Sequence, residues 1–401
     1  MRTHYSFFHW MPLAFAVMVV FTAVSCKDGD DIDDKDIITK NNQIAYITDA
    51  DKLAMIRSMK DLDGEGRLYE INYTADYKLD QVLKANITET NALFQYIAYL
   101  LYDSIPTNSQ KVAFGAGCSA FAVPDAESVD FLMGRNYDYR HFDKTGTSYV
   151  PTAAILVHTA PANGKKSISM VDGLNMGFQQ GFYTDGNTDL SLMMGLPYAA
   201  LDGINEDGFA IGVLALNEKQ TCQETGKSRI STTVAIRMLL DRASTVKEAV
   251  KMLKEYDMDM RGNGRSNYHF FMADATGDYA IVEYTIPNGD SIPRVMEVFT
   301  GNDTLRCVTN FYVSPTMAGT TDGWGSEHGK VRYETMRDTL FAKNYTLNDN
   351  EAMDLLEAVS QPPTEELTSQ TQWSSLYNLT EKTLKLAILR EYGKKYEFKV
   401  Q

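Results

Sequence analysis

The stretch Gly117-Cys118-Ser119-Ala120-Phe121-Ala122-Val123, followed beyond a Pro124-Asp125-Ala126-Glu127-Ser128 turn by Phe131-Leu132-Met133-Gly134-Arg135-Asn136-Tyr137-Asp138-Tyr139, decides the reading of this chain. Two short apolar runs around a polar turn predict a β-hairpin with a long loop. A hairpin brings the end of its second strand back beside the start of its first. The thiol of Cys118, the guanidinium of Arg135 and the carboxylate of Asp138 therefore converge, and a cation beside a thiol favours the reactive thiolate. A buried Cys at a strand start can also be a small apolar residue and nothing more.

Outward from the hairpin, further strand-like runs fall at 152–158, 166–171, 209–216, 268–274, 279–285, 294–300 and 305–310, with strand texture again near the C-terminus. Helices are predicted after Ile230, from Thr245 with a Thr245-x-x-Glu248 capping box, and over 327–343 and 349–360. Ahead of the hairpin, residues 79–103 carry apolar side chains at helical spacing until Pro106 breaks the pattern. Helices come in blocks between groups of strands, without regular βαβα alternation or a GxGxxG motif. An α+β layered fold is therefore favoured over a doubly wound sheet.

Composition narrows the function. The 401 residues carry 53 acidic and 38 basic side chains, a net charge of −15, with 44 % apolar residues. So acidic a chain would repel phosphate backbones, so no nucleic-acid partner is expected. Four cysteines are too few for a disulfide framework, and six scattered histidines without HExxH or CxxC predict no metal. No cofactor is expected. The N-terminus carries a short apolar run ending Ala23-Val24-Ser25-Cys26, followed by an acidic stretch. It reads as an export signal over 1–25 closed by a bacterial lipobox, with Cys26 as the lipidation site and 26–45 as a tether. The expected location is the bacterial cell envelope, with the membrane reached through that anchor. Oligomeric state is left open.

Several ordered segments resemble the choloylglycine hydrolase family of bile salt hydrolases, penicillin V acylases and their acid-ceramidase-like relatives. They are Cys118-Ser119 with Gly134-Arg135-Asn136-Tyr137-Asp138-Tyr139, and Asp202-Gly203-Ile204-Asn205-Glu206-Asp207-Gly208 running on to Leu216-Asn217. His269 to Gly277, Val308-Thr309-Asn310, Arg332 and Trp373 to Asn378 follow in the family's order. The resemblance implies a four-layer αββα N-terminal-nucleophile hydrolase fold over 118–401, preceded by a helical pro-segment over 46–117. It implies an enzyme that cuts itself before Cys118 and hydrolyses a linear, non-peptide amide bond of a small N-acyl amide or bile-salt-like conjugate through a Cys118 thioester. The freed α-amine, with a reference pKa of ~7.7–8.0, then serves as the base.

By the same resemblance Asp138 orients the α-ammonium and Arg135 lies against the thiolate. The Asn310 side chain and a backbone N–H at Asn217 bind the oxyanion, and Arg332 supports the charge from further off. The stretch from Asn205 to Asn217 runs slightly longer than the family's usual spacing, which leaves Ala215 as the alternative backbone position. Asn205 and Gly208 read as turn residues, His269 as structural, and Cys222 and Cys307 receive no role. An acyltransferase using the same thioester, or a binding lipoprotein on a hydrolase scaffold, are the alternatives.

Overall fold

The computed structural model describes residues 44–104, 117–143, 145–216, 219–262, 267–286, 294–317, 328–363 and 369–401. The expected signal stretch, Cys26, the tether up to residue 43 and Asn217 lie outside the described residues. The first strands are β1 (Lys60–Asp61), β2 (Leu68–Tyr73), β3 (Gly117–Pro124), β4 (Phe131–Asp138), β5 (Ala154–Thr159) and β6 (Ser167–Asp172). Next come β7 (Ala200–Asn205), β8 (Ala210–Leu216), β9 (Arg229–Ile230), β10 (Asp257–Met258), β11 (Asn267–Ala273) and β12 (Tyr279–Thr285). The last are β13 (Val295–Phe299), β14 (Cys307–Val308), β15 (Thr371–Asn378), β16 (Thr383–Ile388) and β17 (Tyr396–Lys399). The α-helices are α1 (Ala50–Arg57), α2 (Leu79–Ala85), α3 (Thr90–Leu101), α4 (Thr232–Arg242), α5 (Val246–Leu253), α6 (His328–Ala342) and α7 (Asp349–Ala358).

Among the described residues, one nine-stranded sheet runs β1-β2-β5-β6-β7-β8-β11-β12-β13 and a six-stranded sheet runs β14-β3-β4-β15-β16-β17. The two sheets meet through β3 and β8, while α4 covers β7 and β8 from outside. Helices α6 and α7 cover β3, β4, β14 and β15. This is the αββα order that the family resemblance implied. Sheets covered on both sides carry strands that read as continuous apolar runs, which is why CSAFAV lacks a polar face. Within β3 the period of two still sorts the side chains. Cys118, Ala120 and Ala122 face the core between the sheets, and Phe121 and Val123 face the core under α6 and α7. Gly134 lies opposite Phe121 in the register, where a Cβ would sit 2.4 Å from the Phe121 ring, so a larger residue there would force that buried ring to move.

The described part of the segment before the hairpin holds helices α1, α2 and α3 and also two strands, β1 and β2. Strand β2 is part of the large sheet, paired in parallel with β5 from Leu68 on Ala154 to Tyr73 on Thr159. The single helix expected over 79–103 is two. Asn86 takes a left-handed conformation at φ 58°, which Asn accepts more readily than most residues. Glu89 then caps α3 by accepting from the N–H groups of Asn91 and Ala92. The segment is also fastened by buried polar contacts. Tyr77 Oη donates to the Asp241 carboxylate at 2.7–2.8 Å, and Tyr73 Oη donates to the Met194 carbonyl at 2.8 Å. Asp241 is paired with Arg237 on the next turn of α4. Tyr77→Phe is expected to cost about 1.5–3 kcal/mol, the range for hydrogen bonds to charged groups. A urea titration of the variant beside wild type checks it.

Candidate active site

The β3–β4 register sets Cys118 opposite Tyr137 and Ala120 opposite Arg135, so the thiol and the guanidinium share one face. Arg135 is fully buried, and its Nη2 lies 3.4 Å from Cys118 Sγ and 2.8 Å from the Val213 carbonyl. Its Nη1 forms an ion pair with Asp202 at the start of the next layer. Asp202 in turn accepts from Trp373 Nε1 at 3.1 Å and from Tyr377 Oη. The guanidinium lies 5.3 Å from the centre of the Tyr137 ring, which stacks on Trp373 at 4.1 Å. A buried guanidinium needs a buried acid and further acceptors; Asp202 and the Val213 carbonyl supply them at Nη1 and Nη2, while Nε has no hydrogen-bond partner among the described residues.

Space for Arg135 is made by Gly212, the cross-strand partner of Asp202. A Cβ there would stand 2.6 Å from Arg135 Cδ and 2.8 Å from Nε. Gly212→Ala is therefore expected to push the guanidinium off the thiol, at about 1–3 kcal/mol of stability and a fall in turnover of at least ~10-fold. Turnover and denaturation of the purified variant check both figures.

The thiol departs from the sequence expectation. Burial pushes Cys118 up to about 11, with Arg135 and Arg332 opposing and the Asp138 charge adding to the rise. Complete burial of the sulfur outweighs the opposing charge of Arg135. The uncut chain thus holds a thiol, and a base has to take its proton before it can attack. Iodoacetamide is expected to alkylate Cys118 of the uncut chain slowly at pH 7 and faster as the pH climbs toward 11, followed by mass spectrometry.

Asp138 lies on the other face of β4, opposite Gly117. Thr371 Oγ1 donates to Oδ1 at 2.5 Å, Gln361 Nε2 to Oδ2 at 2.7 Å, and Arg332 Nη1 approaches Oδ2 at 3.3 Å. Burial raises the carboxyl above its ordinary value despite Arg332 and these hydrogen bonds. Arg332, from α6, stands closer than the sequence suggested. Its Nη1 donates to the Cys118 carbonyl at 2.8 Å and its Nη2 to Asn310 Oδ1 at 2.9 Å.

Asn310 completes the ring. Its Oδ1 accepts from the Cys118 backbone N–H at 2.8 Å, and its Nδ2 donates to the Ala215 carbonyl at 2.8 Å. A carbonyl can only accept, so this partner fixes which end of the amide is nitrogen. Among the described residues no acceptor meets the second Nδ2 hydrogen. The nitrogen of Cys118 therefore meets Asn310 rather than Asp138 in the uncut chain, and Ala215 is present through its carbonyl. Cys118, Arg135, Asp138, Asn310 and Arg332 are brought together; Asn217 lies outside the described residues.

Sequence reasoning did not assign Asp202, Trp373, Tyr377, Thr371 or Gln361. Asp202 stood in the quoted Asp202-Gly203-Ile204-Asn205 stretch, and the need of a buried arginine for an acid was the signal that could have found it. Asn205 and Gly208 are turn residues, as read. Asn205 Oδ1 accepts from the N–H groups of Asp207 and Phe209 at 3.1 Å, and Gly208 has φ 82°. Cys118, Cys222 and Cys307 are free and buried. Among the described residues no group of His, Cys, Asp and Glu side chains could hold a metal ion, and no helix is long and apolar enough to cross a membrane.

Comparison with known proteins places the chain in a family. The profile of acyl-coenzyme A:6-aminopenicillanic acid acyl-transferase matches residues 125–391, more than half of the chain. The chain belongs to this family. It is the group that holds the choloylglycine hydrolases and penicillin V acylases, to which the ordered motifs pointed, and its enzymes hydrolyse amides or transfer acyl groups. Solved structures similar to the chain include two variants of a conjugated bile acid hydrolase from Clostridium perfringens. Each has 15% identity and a TM-score of 0.45, covering 70% of this chain and 92% of that one. Penicillin V acylase from Agrobacterium tumefaciens has 18% identity and a TM-score of 0.41, covering 68% and 83%. No curated protein matches the chain.

Proposed function

We propose that the chain is an envelope lipoprotein precursor whose Cys118, freed at its α-amine by cleavage of the Gly117–Cys118 bond, cleaves a linear amide of a small N-acyl amide. The observation that carries the proposal is the ring around one residue. The nitrogen of Cys118 is held by Asn310, its carbonyl by Arg332 and its sulfur by Arg135. A plain core cysteine has no need for three separate polar anchors.

In this reading the neutral α-amine takes the thiol proton, which offsets the high thiol pKa left by burial. Sγ attacks the acyl carbon, and the oxyanion takes the second Nδ2 hydrogen of Asn310 together with a backbone N–H in the Asn217 region. Collapse expels the amine, protonated by the α-ammonium, and leaves a thioester. Arg135 lies against the thiolate, Arg332 spreads positive charge toward the carbonyl, and Asp138 holds Arg332 and the α-ammonium in register. Water then releases the acid. The piece from Cys26 to Gly117 stays docked, because β2 is a strand of the large sheet and Tyr77 remains on Asp241. Lipidation at Cys26 would tether the pair to the membrane.

The family description favours a second outcome for the thioester, capture by another amine in place of water. Incubating the cleaved protein with an N-acyl amide, with and without hydroxylamine, separates the two. Acid in both reactions means hydrolysis, whereas hydroxamate at the expense of acid means acyl transfer. Neither product, from protein shown to begin at Cys118, would overturn the proposal.

A further inference from the structure

We infer that His269 and Glu283 form a buried positioning pair that holds Asn310 where it can meet an oxyanion. The inference rests on the reading of Asn310 as the oxyanion donor. Strands β11 and β12 pair with Phe270 on Val282, so His269 and Glu283 are the next cross-strand pair. Both side chains are fully buried. His269 Nδ1 lies 3.1 Å from Glu283 Oε1, and Nε2 lies 2.8 Å from the carbonyl oxygen of Thr309, the residue before Asn310. That carbonyl only accepts, so Nε2 carries a hydrogen, and the network rather than observation assigns it. Glu283 in turn accepts from the N–H groups of Val313 at 2.8 Å and Ser314 at 3.0 Å. The pair therefore grips the chain on both sides of Asn310.

This segment needs such a grip. Strand β14 ends after Cys307–Val308, so the residues that follow have no ladder partner for their peptide groups. Burying a histidine and a carboxylate to satisfy them is costlier than an apolar core would be. Nothing about a hydrophobic core asks for it, whereas a catalytic amide must be held to a fraction of an ångström. Glu297, opposite Glu283 on β13, extends the hold by accepting from Ser314 Oγ.

The test uses the cleaved protein with a fluorogenic N-acyl aminocoumarin amide, comparing wild type, Glu283→Gln, His269→Gln, Asn310→Ala and the double variants. Glu283→Gln and His269→Gln are each expected to lower kcat by ~10–100-fold, part of the loss a missing oxyanion donor causes. KM and the rate of Cys118 alkylation by iodoacetamide should hold, because neither residue touches substrate or thiol. On the Asn310→Ala background they are expected to cost nothing further, since they act through that residue. Single variants at wild-type kcat, or double variants whose losses multiply, would overturn the inference. So would unfolding of both single variants beside a folded Asn310→Ala, which would make the pair scaffold alone. A silent Asn310→Ala, or wild type inert on the amide, would instead sink the reading on which the inference rests.

Discussion

Cys118→Ala is expected to turn over no measurable acyl amide, a loss of at least ~10⁴-fold, the scale of removing a catalytic nucleophile. The variant is expected to remain folded. Cys118 is small, and the backbone anchors around it do not involve the sulfur: its N–H donates to Asn310 and its carbonyl accepts from Arg332. Deleting one buried sulfur from such a site costs on the order of 1 kcal/mol, a small part of the stability of a folded domain. A matched denaturation midpoint with vanished turnover would place the loss in the chemistry. Retained turnover would remove Cys118 from the mechanism altogether.

Asp202→Asn carries the largest expected effect on stability. Arg135 is fully buried, and Asp202 is the acid it faces, itself fully buried and held by Trp373 and Tyr377. Removing the acid leaves a buried cation without its charge partner, which costs about 3–5 kcal/mol against a total domain stability of about 5–15 kcal/mol. The double variant Asp202→Asn with Arg135→Met is expected to regain much of that loss, because no charge is then stranded, while staying inactive. Urea unfolding of the single and double variants gives both numbers. A single variant as stable as wild type would mean that Arg135 draws its compensation from elsewhere.

The hairpin was legible because its chemistry is local. Cys118, Arg135 and Asp138 lie on two strands joined by one turn, so hairpin pairing was enough to bring them near one another, with the strand period setting Asp138 on the face opposite the thiol and the guanidinium. The cap of α5 at Thr245 was legible for the same reason, and only a detail shifts. Thr245 Oγ1 accepts from the Glu248 N–H, but the Glu248 carboxylate reaches Ser244 rather than Thr245.

What sequence could not show comes from contacts between layers. Asp202 meets Arg135 only when the two sheets stack, and Thr371 and Gln361 meet Asp138 from the far end of the chain. Strand β2 was hidden because a parallel strand at that place owes its existence to β5, not to its own neighbours. His269 read as a satisfied structural histidine, which its two partners bear out; that the second partner is the carbonyl before Asn310 depends on where β14 stops. The rise of the thiol pKa was invisible too, since the sequence shows the cation near Cys118 but not the water excluded from it.

The account turns on the Gly117–Cys118 bond, and intact mass with N-terminal sequencing of the purified protein tests it most directly, beside Cys118→Ala. The expected result is a wild-type fragment beginning at Cys118 that co-purifies with the segment ahead of it, and a variant that stays whole. Wild type that stays whole while hydrolysing acyl amides would contradict the α-amine as base. Wild type that stays whole and inert would contradict the proposed mechanism entirely.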